Sequence, residues 1–423
     1  MRSAVAMAAG GVVLSAALAA GGAAGASQNR AGVQAAPSVF RRALEIRLPQ
    51  GSNAGSLRAV ECLRQGSCVA GGDYFDSRSL LHPMIVTESG GRWARARSLP
   101  MPKGTVGEVT AIDCTGFGNC VAGGDYQRGA TGAFRLFAVT QRAGRWGRIS
   151  TLRMPSNATT VIALGAIACL RRASCQAVGT YDDGKGDEGW AAVMRAGRWR
   201  QASEIRPPAG ANAIAGVWLY SVTCTRPGTC VATGFYYGRP FGSHALAVIE
   251  TGGRWRQAVQ VRPPPGAASF GASLFSVVCP RVRICEAAGG YSDTPGQGQK
   301  MVATESGGRW LRARAVNVWP TNMSNAVESD RSFKSIACAR TGSCVAVGPY
   351  FDTAGGQPSL VATESGGRWT GASEVGLPAN AATGAKLGSD ADAVDCTSTG
   401  YCAIVGDYRD RSGVFQALAA TTR

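Results

Sequence analysis

The chain predicts an all-β fold, a seven-bladed β-propeller with four antiparallel strands per blade and an N-terminal strand that closes the last blade. Three observations carry this. A unit built on a Cys-x5-Cys pair occurs seven times in the 423 residues. Each unit reads as four short strands separated by tight turns, and Gly is abundant at 58 residues. One unit is divided between the two ends of the repeat array, which a ring requires and a linear stack does not.

Taken in order, residues 1–26 read as a signal peptide. Arg2 is a short positive region, Ala4 to Ala20 an apolar one, and Ala24-Gly25-Ala26 a small-x-small cleavage site, so a mature chain would start near Ser27. The apolar run is glycine-interrupted and short for a spanning anchor. No cysteine stands near the cleavage site to take a lipid. Residues 27–37 are small and polar and are expected to form a flexible tail. The propeller is expected over 38–423.

Residues 38–49, SVFRRALEIRLP, follow no cysteine pair. They match the end of a repeat such as Arg368 to Pro378, with Phe40 at the Trp position, Ala43 at the Ala three residues later and Pro49 at the closing Pro. The seventh unit lacks this piece, running from Tyr408 through FQALAAT to the end with no Gly-Arg-Trp. Joining the two completes a blade and removes exposed sheet edges.

The cysteines pair without remainder: Cys62 with Cys68, Cys114 with Cys120, Cys169 with Cys175, Cys224 with Cys230, Cys279 with Cys285, Cys338 with Cys344, and Cys396 with Cys402. An even count, strict spacing and an export signal read as seven local disulfides. A zinc reading needs clustered ligands, usually with His, and only His82 and His244 exist, at unrelated repeat positions. The first Cys ends one apolar strand and the second opens another, so each bond staples a hairpin. Gly stands four residues after the second Cys in all seven units (Gly72, Gly124, Gly179, Gly234, Gly289, Gly348, Gly406), and Tyr six after it. A polar loop leads to the third strand, and a Gly-rich turn leads to Trp and the fourth.

The repeat resembles that of secreted, disulfide-stapled propeller proteins with a CxxxGxC…GxY…SGGxW pattern, mostly uncharacterised, over residues 38 to 423. It is also distantly similar to the Asp-box of sialidase-like propellers. Thr87 to Trp93 is one residue shorter than that motif and has Ser in place of its Asp. An Asp-box is a folding motif, so the resemblance implies a fold and no catalytic residue.

Strand order puts the disulfide hairpins and the Gly-Arg-Trp turns on one face. Their uniformity points to structure. Trp93, Trp146, Trp199, Trp255, Trp310 and Trp369 are expected to pack between blades. The Arg before each would stack on it or pair with Glu88, Glu250, Glu305 or Glu364. The other face carries the second-to-third-strand loops and the Pro-rich spacers, which vary, and function concentrates in such loops. Candidate binding residues there are Tyr74, Asp76, Arg128, Asp183, Trp218, Tyr220, Tyr236, Asp293, Asp352 and Asp410. The aspartates also have a bland reading as turn residues that bond their own backbone. A ring of Tyr and Asp would suit a sugar or a cation, with Ca²⁺ favoured over zinc, but no D-x-D-x-D-G run is present. Phe270 and Phe275 join Trp218 and Tyr220 in an aromatic cluster at the entry to blades four and five, either a recognition patch or core.

The formal charge of +17 is mostly Arg, with no Lys/Arg block. An acidic polymer is a candidate partner, and no specific nucleic-acid interface is visible. No G-x-S-x-G with a His partner, HExxH, P-loop or dinucleotide fingerprint occurs. The balance leans away from an enzyme, and no cofactor or metal is expected. The leading expectation is a secreted, monomeric, non-enzymatic propeller that recognises an extracellular protein or glycan through its variable face. The alternatives are a carbohydrate-active, sialidase-like hydrolase or lyase with a site in the central funnel, and a structural component of the cell envelope.

Overall fold

A computed structural model describes residues 40–422 apart from 130–131, 172–173, 212–215, 239–241, 295 and 325–331. The expected signal peptide and tail lie outside the described residues.

The chain forms seven antiparallel sheets, each in strand order first to fourth, arranged as the blades of a propeller. In blades one to five the fourth strand is two short pieces, such as Arg92–Trp93 and Arg97–Ser98, both paired with the third strand Leu81–Ser89. In blade six it is continuous, Arg368–Glu374. Blade seven takes its fourth strand from the N-terminal segment: Leu44–Glu45 pairs with Phe415–Thr421, with Leu44 opposite Ala419. Phe40 bridges Thr422, the place that Trp369 holds opposite Glu364 in blade six. The ring is closed as the split repeat predicts.

The apolar core is divided into seven clusters, each shared by two adjacent blades. One joins Ile46, Leu57 and Met84 to Ala403, Val405 and Ala419, sealing blade one against blade seven. A wholly buried side chain such as Leu57 contributes about 2–3 kcal/mol. Each repeat Trp packs half-buried on the cluster shared with the preceding blade, as Trp93 does here. The Arg before it does not pair with the glutamates. Arg92, Arg145, Arg198, Arg254, Arg309 and Arg368 are exposed, and among the described residues none makes an ion pair. The glutamates are instead buried at the blade boundary, and two are engaged from the preceding blade: Tyr401 Oη bonds Glu88 at 2.6 Å and Gln176 Nε2 bonds Glu250 at 2.8 Å. A guanidinium there would have to leave water, which the free turn position avoids.

All seven expected disulfides are present. Cys62 is bonded to Cys68, Cys114 to Cys120, Cys169 to Cys175 and Cys224 to Cys230. Cys279 is bonded to Cys285, Cys338 to Cys344 and Cys396 to Cys402. No free cysteine remains among the described residues. The two cysteines of a pair stand opposite each other in the first and second strands, as Cys62 does to Cys68 and Cys114 to Cys120. Each bond closes a loop short enough to add about 2 kcal/mol. The hairpin glycines are needed: Gly66 has φ 67°, and a Cβ on it would lie 2.7 Å from Gly91 N.

The glycine after the second Cys shapes the channel. A Cβ on Gly72 would lie 2.0 Å from Ser56 O, and one on Gly406 1.7 Å from Asp390 O. This close approach accompanies a bulge in the first strand. Leu57 pairs with Gly72 and Ala59 with Gly71, leaving Arg58 as the extra residue. The same shift leaves out Thr110, Gly165, Tyr220, Phe275 and Asp392. A bulge re-aims the side chain it inserts.

Candidate functional site

The seven first strands surround a central channel of about 620 Å³. The residue four before the first Cys lines it in every blade: Arg58, Thr110, Gly165, Tyr220, Phe275, Lys334 and Asp392. Two further repeat positions stand beside this ring toward the variable face. They are the residue six before the first Cys and its cross-strand partner five after the second, for example Ser56 with Asp73, Glu108 with Asp125, Trp218 with Phe235 and Asp390 with Asp407. The blades fill these positions with different chemistry.

Blades six, seven, one and two build a charged wall. Arg58 reaches Asp73 at 3.3 Å and Asp392 at 3.2 Å, with Glu108 at 3.9 Å. Lys334 is bonded to Asp390 and lies 3.3 Å from Asp392. Ser56 Oγ donates to Asp407 at 2.8 Å. Burial lifts Asp73 to about 6 against the pull of Arg58. Burial likewise lifts Asp125 to about 6, and it lifts Asp392 to about 7, helped by the Asp390 charge. Burial and the neighbouring Asp125 raise Glu108. Burial alone would loosen the protons of Arg58 and Lys334, but the surrounding carboxylates outweigh it and hold both cations charged.

Blades four and five build an aromatic wall. Trp218 stacks on Phe235 at 6.1 Å between centroids, and Tyr220 meets Phe235 at 5.9 Å and Phe275 at 5.0 Å. Trp218 Nε1 donates to Asp187 at 3.0 Å, which fixes the indole. Tyr237 abuts Phe235 edge-on at 5.3 Å. Trp218, Tyr220 and Phe275 keep part of their surface open, and Phe270 is 48% exposed beside Gly242. In a seven-membered ring, blades four and five stand across the channel from blade one.

Toward the disulfide end, the residue before the first Cys forms a second ring that includes Glu61, Asp113 and Asp395. Here the carboxylates join blades. Asp395 accepts from Cys62 N at 2.7 Å, and Asp113 accepts from the Cys169 N–H while burial lifts it to about 7. Among the described residues no group of three His, Cys, Asp or Glu is placed to hold a metal ion.

Of the residues singled out from sequence, Trp218 and Tyr220 lie in the aromatic wall. The five aspartates close their own loops. Asp76 accepts from Arg78 N and Leu80 N at 2.9 and 3.0 Å, and Asp183 from Lys185 N at 2.8 Å. Asp293 accepts from Gln297 N at 2.7 Å, Asp352 from Gly356 N at 2.7 Å and Asp410 from Val414 N at 3.0 Å. Tyr74 and Tyr236 are buried against His82 and His244, and Arg128 is exposed at the end of its strand. The charged wall does not stand out in the linear sequence. Its signal was the unlike residues at three strand positions of otherwise like repeats.

No protein-family model and no curated protein sequence matches the chain. Several solved structures are similar to it at low identity. A protein of unknown function from Dyadobacter fermentans is 10% identical with TM-score 0.47, over 91% of this chain and 99% of that one. Sqt1 from Chaetomium thermophilum is 11% identical with TM-score 0.44, over 88% and 86%. A Hadza microbial sialidase, Hz136, is 10% identical with TM-score 0.42, over 81% and 73%. At these identities the likeness concerns the propeller fold alone. The sheets and bonds of the chain itself make it a seven-bladed propeller stapled by seven repeat disulfides, and sialidase-like propellers are among its structural neighbours.

Proposed function

We propose that this chain is an extracellular, non-enzymatic binding protein that takes carbohydrate at the mouth of its central channel. The observation that carries this is the partly open cluster of Trp218, Tyr220, Phe235 and Phe275 set across one channel from a carboxylate wall. A pyranose presents a C–H face that suits an aromatic surface and a rim of hydroxyls that suits carboxylate acceptors. Pockets of this kind pair apolar area with a few fixed polar groups. Six carboxylates against two cations disfavour an anionic ligand, so a neutral or amine-bearing sugar is the class expected. Export is supported by the signal-like N-terminus and by the complete use of cysteine in disulfides. The test is a glycan array probed with the purified protein. Retention of neutral or amino-sugar oligosaccharides is expected. If no glycan is held while a specific protein is captured from culture, the carbohydrate reading is wrong.

One observation favours a hydrolase as a second reading. Glu108 stands cross-strand from Asp125, and burial together with the Asp125 charge raises its carboxyl above the ordinary range, as a general acid requires. Against it, these carboxylates are engaged with one another and with Arg58. Incubating a retained glycan with wild type and Glu108→Gln decides: release of new reducing ends by wild type alone would establish the enzyme.

A further inference from the structure

The face opposite the channel mouth has a charge character of its own. Disulfide hairpins and third-to-fourth-strand turns lie side by side on it, tied by bonds such as Gly91 N to Gly66 O at 3.1 Å and Gly253 N to Gly228 O at 3.1 Å. The turns carry the six exposed arginines that precede Trp, and the hairpins add exposed Arg64, Arg171, Arg226, Arg283 and Arg340. The hairpins contain no Asp or Glu. The glutamates that lead into the turns are withdrawn from the surface: Glu88, Glu250, Glu305 and Glu364 are 1, 3, 1 and 5% exposed. Arginines spread thinly through the sequence are thus collected on one face with no exposed carboxylate among them in the described residues.

That face also holds a cleft of about 910 Å³ between blades four and five. Its counterpart between blades three and four measures about 390 Å³. Two repeat positions differ between the blade boundaries. Tyr401, just before its second Cys, reaches Glu88 of the next blade, and Gln176, just after its own, reaches Glu250. Blade four has Thr229 and Val231 at these positions, too short to reach Glu305. Glu305 accepts one bond from Gly308 N through Oε1. Its Oε2 and the Trp310 Nε1 are buried without a protein partner, a feature the repeat shares with Glu88 and Trp93 and with Glu364 and Trp369; here both residues line the cleft, beside four arginines. Arg226, Arg256, Arg283 and Arg309 stand around it.

We propose that this face binds an anionic polysaccharide, with the blade four–blade five cleft seating one acidic sugar unit. The arginines take the sugar carboxylate through charge-assisted, two-pronged bonds. Glu305 accepts from a sugar hydroxyl, and Trp310 Nε1 donates to a sugar oxygen, which satisfies two buried groups that are costly when unpaired. A nucleic acid fits less well, because the repeat Trp rings here are half-buried against the core and offer no open row for stacking bases. This binding is independent of the channel mouth.

The full chain is titrated with polygalacturonate, with neutral dextran and duplex DNA as comparisons. Two fourfold variants remove equal charge from exposed positions. One combines Arg226→Gln, Arg256→Gln, Arg283→Gln and Arg309→Gln at the cleft. The other combines Arg92→Gln, Arg145→Gln, Arg198→Gln and Arg368→Gln elsewhere on the face. Wild type should hold polygalacturonate and not dextran, with affinity falling steeply as salt rises. The cleft variant should lose about tenfold more affinity than the other, as expected when contacts concentrate at one seat. Glu305→Gln, which keeps the shape of the site, should change affinity at constant salt slope. Equal losses in the two fourfold variants would overturn the seat, and duplex DNA held as tightly as polygalacturonate would overturn the polysaccharide.

Discussion

The charged and aromatic walls of the channel occupy the same backbone positions. Arg58 and Tyr220 are both the inserted residue of a first-strand bulge, and Asp73 and Phe235 both stand five after a second Cys. The scaffold therefore fixes where a side chain is aimed and leaves its chemistry free. The walls differ in how they are held. The aromatic wall is packed ring on ring. The charged wall is a network in which each member compensates another's lost hydration, so its stability depends on keeping every partner.

The largest expected effect exploits that difference. Arg58→Met leaves Asp73 and Asp392 without their shared cation, and should cost about 2 kcal/mol in denaturant unfolding, less than a fully buried pair would because Arg58 is 38% exposed. Tyr220→Leu, which keeps an apolar group, should cost about 1 kcal/mol. Equal costs would mean that the two walls are held alike.

A smaller effect separates them by pH. Asp125 is lifted to about 6 and Asp392 to about 7 in the folded chain, both above their unfolded value near 3.8. A carboxyl so raised stabilises the fold fully below about pH 4 and loses that contribution as pH rises through 6 and 7. Thermal stability should therefore decline between pH 5 and 8, and Asp125→Asn should flatten the decline while Tyr220→Leu leaves its slope unchanged. An unaltered slope in Asp125→Asn would show that this carboxyl is not the titrating group.

The smallest effect concerns ligand class. As Asp73, Asp125 and Asp392 ionise between pH 5 and 8, an amine-bearing oligosaccharide should bind several-fold more tightly, about 1 kcal/mol or less, and a neutral one should not change. Parallel pH profiles for both would remove the charged wall from recognition.

The fold was legible because repetition states it seven times. The split unit at Phe40 even showed how the ring closes, and its bridge to Thr422 bears this out. The site was legible only where aromatics clustered in sequence, at Trp218 and Tyr220. Asp73, Glu108 and Asp392 look unremarkable in a linear reading, because the bulge that turns the inserted residue inward is a register effect between strands. The glycine four after the second Cys was its only trace in sequence. The loop aspartates drew attention as a regular set, and that regularity reflects the turn each one closes. The gathering of arginines on one face was likewise hidden, since neighbours around the ring are a whole repeat apart in the chain.

The channel mouth is proposed as a carbohydrate site built on its aromatic wall. The most direct measurement is a side-by-side glycan array of wild type and the double variant Tyr220→Ala with Phe275→Ala, with circular dichroism confirming that both are folded. The double variant should lose at least about tenfold in affinity for every glycan that wild type retains, as removal of central aromatic contacts does at other recognition sites. Undiminished retention by the folded double variant would contradict the account.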